Sequence, residues 1–292
     1  MKKLNLYVVV LLAVGVTFIA CNDKEEKEQK IISCNKSFAV TASISEIDNI
    51  SEEVATFHDY LINYFWNDIF EKDMRCNSDL ILKMRDLIVE KAKTYPFAYI
   101  SKDEFENEID NDSFVELCFD AMKYDTLNLY YMAKLYGDKL DMDFASVEKE
   151  ANQIAIYLEN LFYTSTTPEE MEKAYESYVV RRLGFMKTKE EYLVLRFYAD
   201  MYLSSFTTWC NILYGDENIE VKKKTSWLAS AWNKAKQTAK AVWKEVKPVV
   251  KADAGGAAGG AIVGAAGGLA GAATSAATGA AASSIGKCIE NM

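Results

Sequence analysis

The chain has 292 residues, half of them hydrophobic, and a net charge of −10. So acidic a chain is repelled by a phosphate backbone, which argues against nucleic acid as a partner. With one histidine and six cysteines, it also offers little material for metal or nucleophilic chemistry.

Met1-Lys2-Lys3 is a short basic start, and Leu4 to Ala20 is an apolar run interrupted by Asn5 and Thr17. That length suits a secretory signal, and no stop-transfer pattern follows. The run ends Phe18-Ile19-Ala20-Cys21, a small residue directly before a cysteine. It resembles the lipobox of bacterial lipoproteins, with Phe18 in place of the usual leucine. The resemblance implies cleavage before Cys21 and attachment of lipid to that cysteine. Asn22-Asp23-Lys24-Glu25-Glu26 is similar to the export signal of Bacteroidota lipoproteins, which implies an outer-membrane protein displayed on the cell surface. An uncleaved apolar anchor and a plain solvated tether are the alternatives. Residues 1–20 are thus expected to be a signal peptide and 21–45 an acidic tether.

Residues 46–220 are expected to form an acidic, all-α domain. Thr167-Pro168-Glu169-Glu170 supplies a cap hydroxyl, a proline at the first helical position and the glutamate of a capping box. Ser101-Lys102-Asp103-Glu104 and Thr188-Lys189-Glu190-Glu191 repeat the box without proline. Gly137, Gly184 and Gly215 stand where helices should stop in the left-handed conformation, and Pro96, Pro168 and Pro248 are expected between helices. These marks delimit helices near 46–72, 77–94, 101–110, 112–136, 143–164, 168–183 and 188–214, about seven in all. Ile154, Tyr157, Leu158, Leu161 and Phe162 show the apolar spacing of one helical face. No period-two alternation or hairpin dipeptide appears, and the segment is long enough for one sizeable core.

Little in this domain points to catalysis. His58 has Val54, Ala55, Leu61 and Ile62 at helical spacing, so no metal ligand shares its face, and it reads as a surface or half-buried residue. The P-loop and the dinucleotide fingerprint are missing. With Cys21 lipidated, Cys34, Cys76, Cys118, Cys210 and Cys288 remain. An odd number cannot pair completely within one chain. Cys118 and Cys210 lie among apolar residues and read as buried thiols. Neither an enzyme nor a cofactor is expected.

Charge then changes sign. Residues 221–292 hold ten lysines against three acids, a balance of +7, which leaves −17 on residues 1–220. Residues 221–252 are expected to form a basic amphipathic helix. On a helical wheel Trp227, Trp232 and Trp243 share an apolar arc with Leu228, Val242 and Val246. Lys236, Lys240, Lys244 and Lys247 follow it at about 180–260° from Trp227. Such a face suits a lipid headgroup region, and it equally suits docking on the acidic domain.

Residues 253–292 are expected to be a glycine-zipper tail. Ala254 to Gly286 is 33 residues without a charge, and Gly256, Gly260, Gly264 and Gly268 recur every fourth residue. In a helix that row is a groove into which a second backbone can settle. The composition resembles glycine-zipper segments of membrane proteins and the pore-forming peptides of two-peptide bacteriocins. At about 1.5 Å per residue the stretch is too long for one crossing and too short for two, so a tilted span or a short hairpin is expected. Together these features suggest a lipid-anchored envelope protein with a tail that associates with membrane lipid or with copies of itself. One version is a bacteriocin-like, membrane-active effector shielded by its acidic domain. The alternative is a structural or interaction lipoprotein whose tail oligomerises or docks on the bundle.

Overall fold

The structure, a computed structural model, describes residues 42–68, 78–109, 118, 142–215 and 229–291, all within one compact unit, Phe38–Met292. Among the described residues the secondary structure is entirely helical: α1 (Ile44–Asp68), α2 (Ser78–Thr94), α3 (Lys102–Ile109), α4 (Phe144–Thr164), α5 (Pro168–Leu183), α6 (Lys189–Tyr214), α7 (Ala229–Gln237), α8 (Ala239–Gly264) and α9 (Gly268–Asn291). The all-α class is as the sequence pattern implies. The helix expected over 112–136 lies outside the described residues apart from Cys118, as do Cys21, residues 21–41 of the expected tether, Gly137 and Trp227.

Local chemistry accounts for most helix starts. Thr167 and Thr188 accept bonds from the backbone N–H of Glu170 and Glu191, both at 3.2 Å. The glutamates reach one residue further back than a capping box requires, to the N–H of Thr166 at 2.8 Å and Lys187 at 2.6 Å. α1 starts two residues before its expected position because Ser43 and Glu46 form a box of their own: the Ser43 N–H donates to Glu46 at 2.6 Å and the Glu46 N–H to the Ser43 hydroxyl at 3.3 Å. The Ser43 hydroxyl, which donates to the Glu46 carboxylate at 2.7 Å, and the Ser43 N–H hold that carboxyl below its usual range.

Helix ends depart from expectation. Gly184 and Gly215 do close α5 and α6, but with φ of −64° and −71°, not in the left-handed region. Pro248 is inside α8 rather than between helices. The carbonyl four residues earlier belongs to exposed Lys244 and Pro248 is only half-buried, so water can satisfy the group that proline leaves without a donor. The single basic helix expected over 221–252 is divided at Thr238, whose φ and ψ of −122° and 31° are not helical.

One apolar core runs from Ile47 on α1 to Ile285 on α9. The tail is therefore continuous with the acidic domain rather than a module beside it. Helix α6 is central, packing on α1, α4, α5, α7 and α8. Its Phe197, Tyr202, Phe206 and Trp209 are all buried. Helices α8 and α9 fold back on each other as a hairpin, with α8 against α4 and α6 and α9 against α1 and α3. The tail thus lies inside a sheath of amphipathic helices.

Candidate functional site in the C-terminal hairpin

The hairpin is built from contacts too close for side chains. A Cβ placed on Gly256 would overlap the carbonyl of Gly279; one on Gly260 would overlap that of Ser275, and one on Gly264 that of Gly271. These pairs step by four residues in opposite directions, so α8 and α9 are antiparallel neighbours with glycine on the contact line. Close approach lets dispersion and Cα–H···O contacts replace the missing side chains. Glycine costs about 1 kcal/mol per position in a helix relative to alanine, and this packing is what offsets it.

The partner of the row is the other arm of the same tail. Gly268 does not join it: after the 3-10 turn Ala265–Gly267, Gly268 takes φ +76°, and a Cβ there would meet nothing within 4 Å. The turn changes the phase of the repeat. The second arm presents Gly271, Ser275, Gly279 and Ser283 to the first, while Ala272, Ala276 and Ala280 are buried in the wider core.

The tryptophan-bearing face is also engaged. Trp232 and Trp243 are buried, with their rings 5.9 and 6.4 Å from that of Phe162. The Trp232 indole N–H donates to the carbonyl of Thr166 at 3.2 Å. The Lys236 ammonium donates to the carbonyls of Phe162 (2.5 Å) and Tyr163 (3.1 Å) at the end of α4, where a cation meets the negative end of the helix dipole. Lys247 pairs with Glu159 at 3.0 Å, while Lys240 and Lys244 are exposed. Of the two surfaces the sequence allowed this face, the described conformation uses the bundle.

Sequence reasoning missed the polar centre of the fold. His58 is 1% exposed, not on the surface. Its Nε2 lies 2.7 Å from the Ser284 hydroxyl and 3.5 Å from Asp253 Oδ2, and its Nδ1 is 3.6 Å from Asp59 Oδ1. Asp253 is fully buried and accepts from Ser205 at 2.6 Å, from the Trp209 indole at 3.2 Å and from Ser284. Burial pulls the imidazole pKa down, but the attraction of Asp253 and Asp59 outweighs it and leaves it raised. Burial pushes the Asp253 carboxyl up, against the pull of His58 and the three donors. The attraction of the two acids favours the protonated imidazole.

Asp59, His58 and Ser284 stand in the order of a nucleophile triad. However, Ser284 donates to Asp253 and all three residues are buried. The hydroxyl links His58 to Asp253 rather than facing a substrate. A repeated apolar spacing could not have announced this cluster, since its members come from α1, α6, α8 and α9. The one clue was Asp253, the charge that bounds the uncharged stretch.

Cys118 and Cys210 are free, buried thiols whose pKa burial pushes up. Among the described residues no group of histidine, cysteine and carboxylate side chains could hold a metal. No helix among them is long and apolar enough to cross a membrane. No protein family, curated protein or solved structure matches the chain.

Proposed function

We propose that this is a lipid-anchored protein of the bacterial outer membrane, tethered through Cys21, that stores a membrane-active helical hairpin inside an acidic helical sheath. The carrying observation is the hairpin itself: 33 uncharged residues that complete their small-residue groove arm against arm while surrounded by helices of the opposite charge balance. The turn supports a lipid partner. Val263 is 39% exposed, Gly267 and Ala270 are exposed too, and an apolar, charge-free tip is what a lipid surface accepts. Because neither arm is apolar enough to span, the hairpin would act as a pair, wedged into one leaflet or joined with copies of itself, rather than as a simple anchor.

The test is release of dye from vesicles of phosphatidylglycerol and phosphatidylcholine. A peptide of residues 221–292 should cause leakage, and the intact lipid-free chain at neutral pH should cause about ten-fold less at equal concentration, since sheath and vesicle compete for one apolar surface. A peptide that neither binds nor permeabilises these vesicles would end the membrane-active reading.

A second reading draws on Trp232 and Trp243, which are buried against Phe162. On that view the tail permanently completes the core of an envelope protein that recognises another protein, and the vesicle assay would be negative for peptide and chain alike.

A further inference from the structure

We infer that the His58 imidazolium is a charge-dependent catch holding the C-terminal hairpin in the sheath, and that it lets go as pH rises. The inference rests on the sheathed-hairpin proposal, but its geometry stands independently. His58 belongs to α1, Ser205 and Trp209 to α6, Asp253 to the first arm of the hairpin and Ser284 to the second. All five are buried, so one cluster joins both arms to two different sheath helices. Beyond Asp253 the buried side chains of the hairpin are mostly alanine, and an apolar contact of that kind is non-directional and fixes position weakly.

The charged groups around the cluster set the direction. From α1, Asp59 faces Nδ1 at 3.6 Å and accepts from the Ser204 hydroxyl of α6. From α8, Asp253 faces Nε2, with half-buried Lys251 two residues earlier. From α9, Lys287 is buried one turn beyond Ser284 and has polar contacts of its own. From α6 the facing groups are the neutral Ser205 and Trp209, and α3 turns Phe105 and Ile109 inward.

Loss of the imidazole proton therefore leaves two buried carboxylates without the cation between them. The His58 pKa is raised above its ordinary 6.5, so its stabilising contribution is complete below 6.5 and disappears as pH climbs through the folded value. The Asp253 pKa is raised as well. Its ionisation opposes folding above its own folded pKa and is relieved on acidification, the same direction. The folded state takes up protons at this site, and alkali rather than acid opens it.

The test uses the full lipid-free chain, whose single histidine makes the signals unambiguous. NMR titration of the His58 ring should give a pKa above 6.5. Hydrogen exchange of residues 254–286, corrected for the intrinsic pH dependence of exchange, should show protection falling about ten-fold or more between pH 6 and pH 9. His58→Gln, which keeps hydrogen-bonding atoms without the charge, should start at lower protection and lose the pH response. Protection that is flat with pH, a response that survives in His58→Gln, or a ring pKa below 6.5 would each overturn the inference. Should His58→Gln fail to fold, the wild-type titration and exchange still decide. Vesicle leakage at the two pH values then separates the claims. A hairpin that loosens at pH 9 without leakage leaves the catch standing and removes the membrane-active function.

Discussion

Helix α6 and the hairpin it covers fill the same core by opposite means. α6 contributes Phe197, Tyr202, Phe206 and Trp209, large side chains that stabilise by the area they bury and hold neighbouring helices about 8–10 Å apart. Beyond Asp253 the hairpin contributes mostly glycine and alanine, which bury little area per residue and stabilise by bringing two backbones together. A core of large side chains can absorb a change in one of them by shifting rotamers, at moderate cost. A backbone-to-backbone contact cannot, because no flexible atom is available to move. The molecule should accordingly be tolerant in one half and brittle in the other.

The largest expected effect tests that brittleness. Gly260→Leu puts a side chain where the Ser275 carbonyl lies, so the arms must separate along their length. We expect a loss of at least about 3 kcal/mol, read as a lower urea midpoint, together with lost exchange protection in 254–286. Phe206→Leu, a shortening in the sheath, should cost less, about 1–2 kcal/mol. Equal losses for the two would erase the distinction between the regions. Leucine also makes the tail more hydrophobic, so Gly260→Leu should bind vesicles at least as well as the wild type even though its hairpin no longer closes.

The two halves were also unequally legible. Sheath helices announce themselves through apolar spacing and caps. Thr167 and Thr188 fix the starts of α5 and α6, and the stripe of α4 is buried at Ile154, Leu158 and Phe162 as its period requires. The tail offered a four-residue repeat that is the same for one long helix, an oligomer and a hairpin. What selects the hairpin is a turn, and the turn sits within the repeat. Gly268 looked like a fourth member of the row because its spacing is right; its backbone conformation is what sets it apart. His58 was misplaced for a related reason. A histidine with apolar neighbours on its own helix gives no sign of Asp253 and Ser284, which lie 195 and 226 positions away in sequence.

A substitution at the turn separates the two kinds of glycine. Gly268 has open space around its Cα but φ of +76° and ψ of −159°, a region that side-chain-bearing residues avoid. Gly268→Ala should cost about 2 kcal/mol through backbone strain alone. Gly267, next to it, has equally open space and no positive φ, so Gly267→Ala should be neutral or slightly stabilising, by about 0.5 kcal/mol. Thermal midpoints of the two variants compared with wild type make the measurement. A loss at Gly267 as large as at Gly268 would mean that the turn is crowded rather than strained, contrary to the geometry that ends the row at Gly264.

The smallest effect concerns the boundary between the halves, where the basic face of α7 and α8 meets the sheath. Lys236 donates to the carbonyls of Phe162 and Tyr163, and its ammonium lies 5.3 Å from the Trp232 ring. Burial lowers its pKa, opposed by the attraction of Glu170. Lys236→Met retains the apolar stem and removes the donors. If Lys236 caps α4 in solution as it does here, the variant should lose about 1 kcal/mol, and the exchange protection at the end of α4 should fall. If the lysine instead serves lipid headgroups, the folded chain should be as stable as before and the 221–292 peptide should lose affinity for anionic vesicles. Exposed Lys240 supplies the control. Lys240→Met should leave the stability of the bundle within about 0.5 kcal/mol, while weakening the peptide's attraction to anionic lipid. Stability loss at 236 together with weakened vesicle binding at both positions would mean that one face serves two partners in turn, first the sheath and then the membrane. That is the behaviour required of a stored hairpin, because a face that met the sheath alone would gain nothing on release.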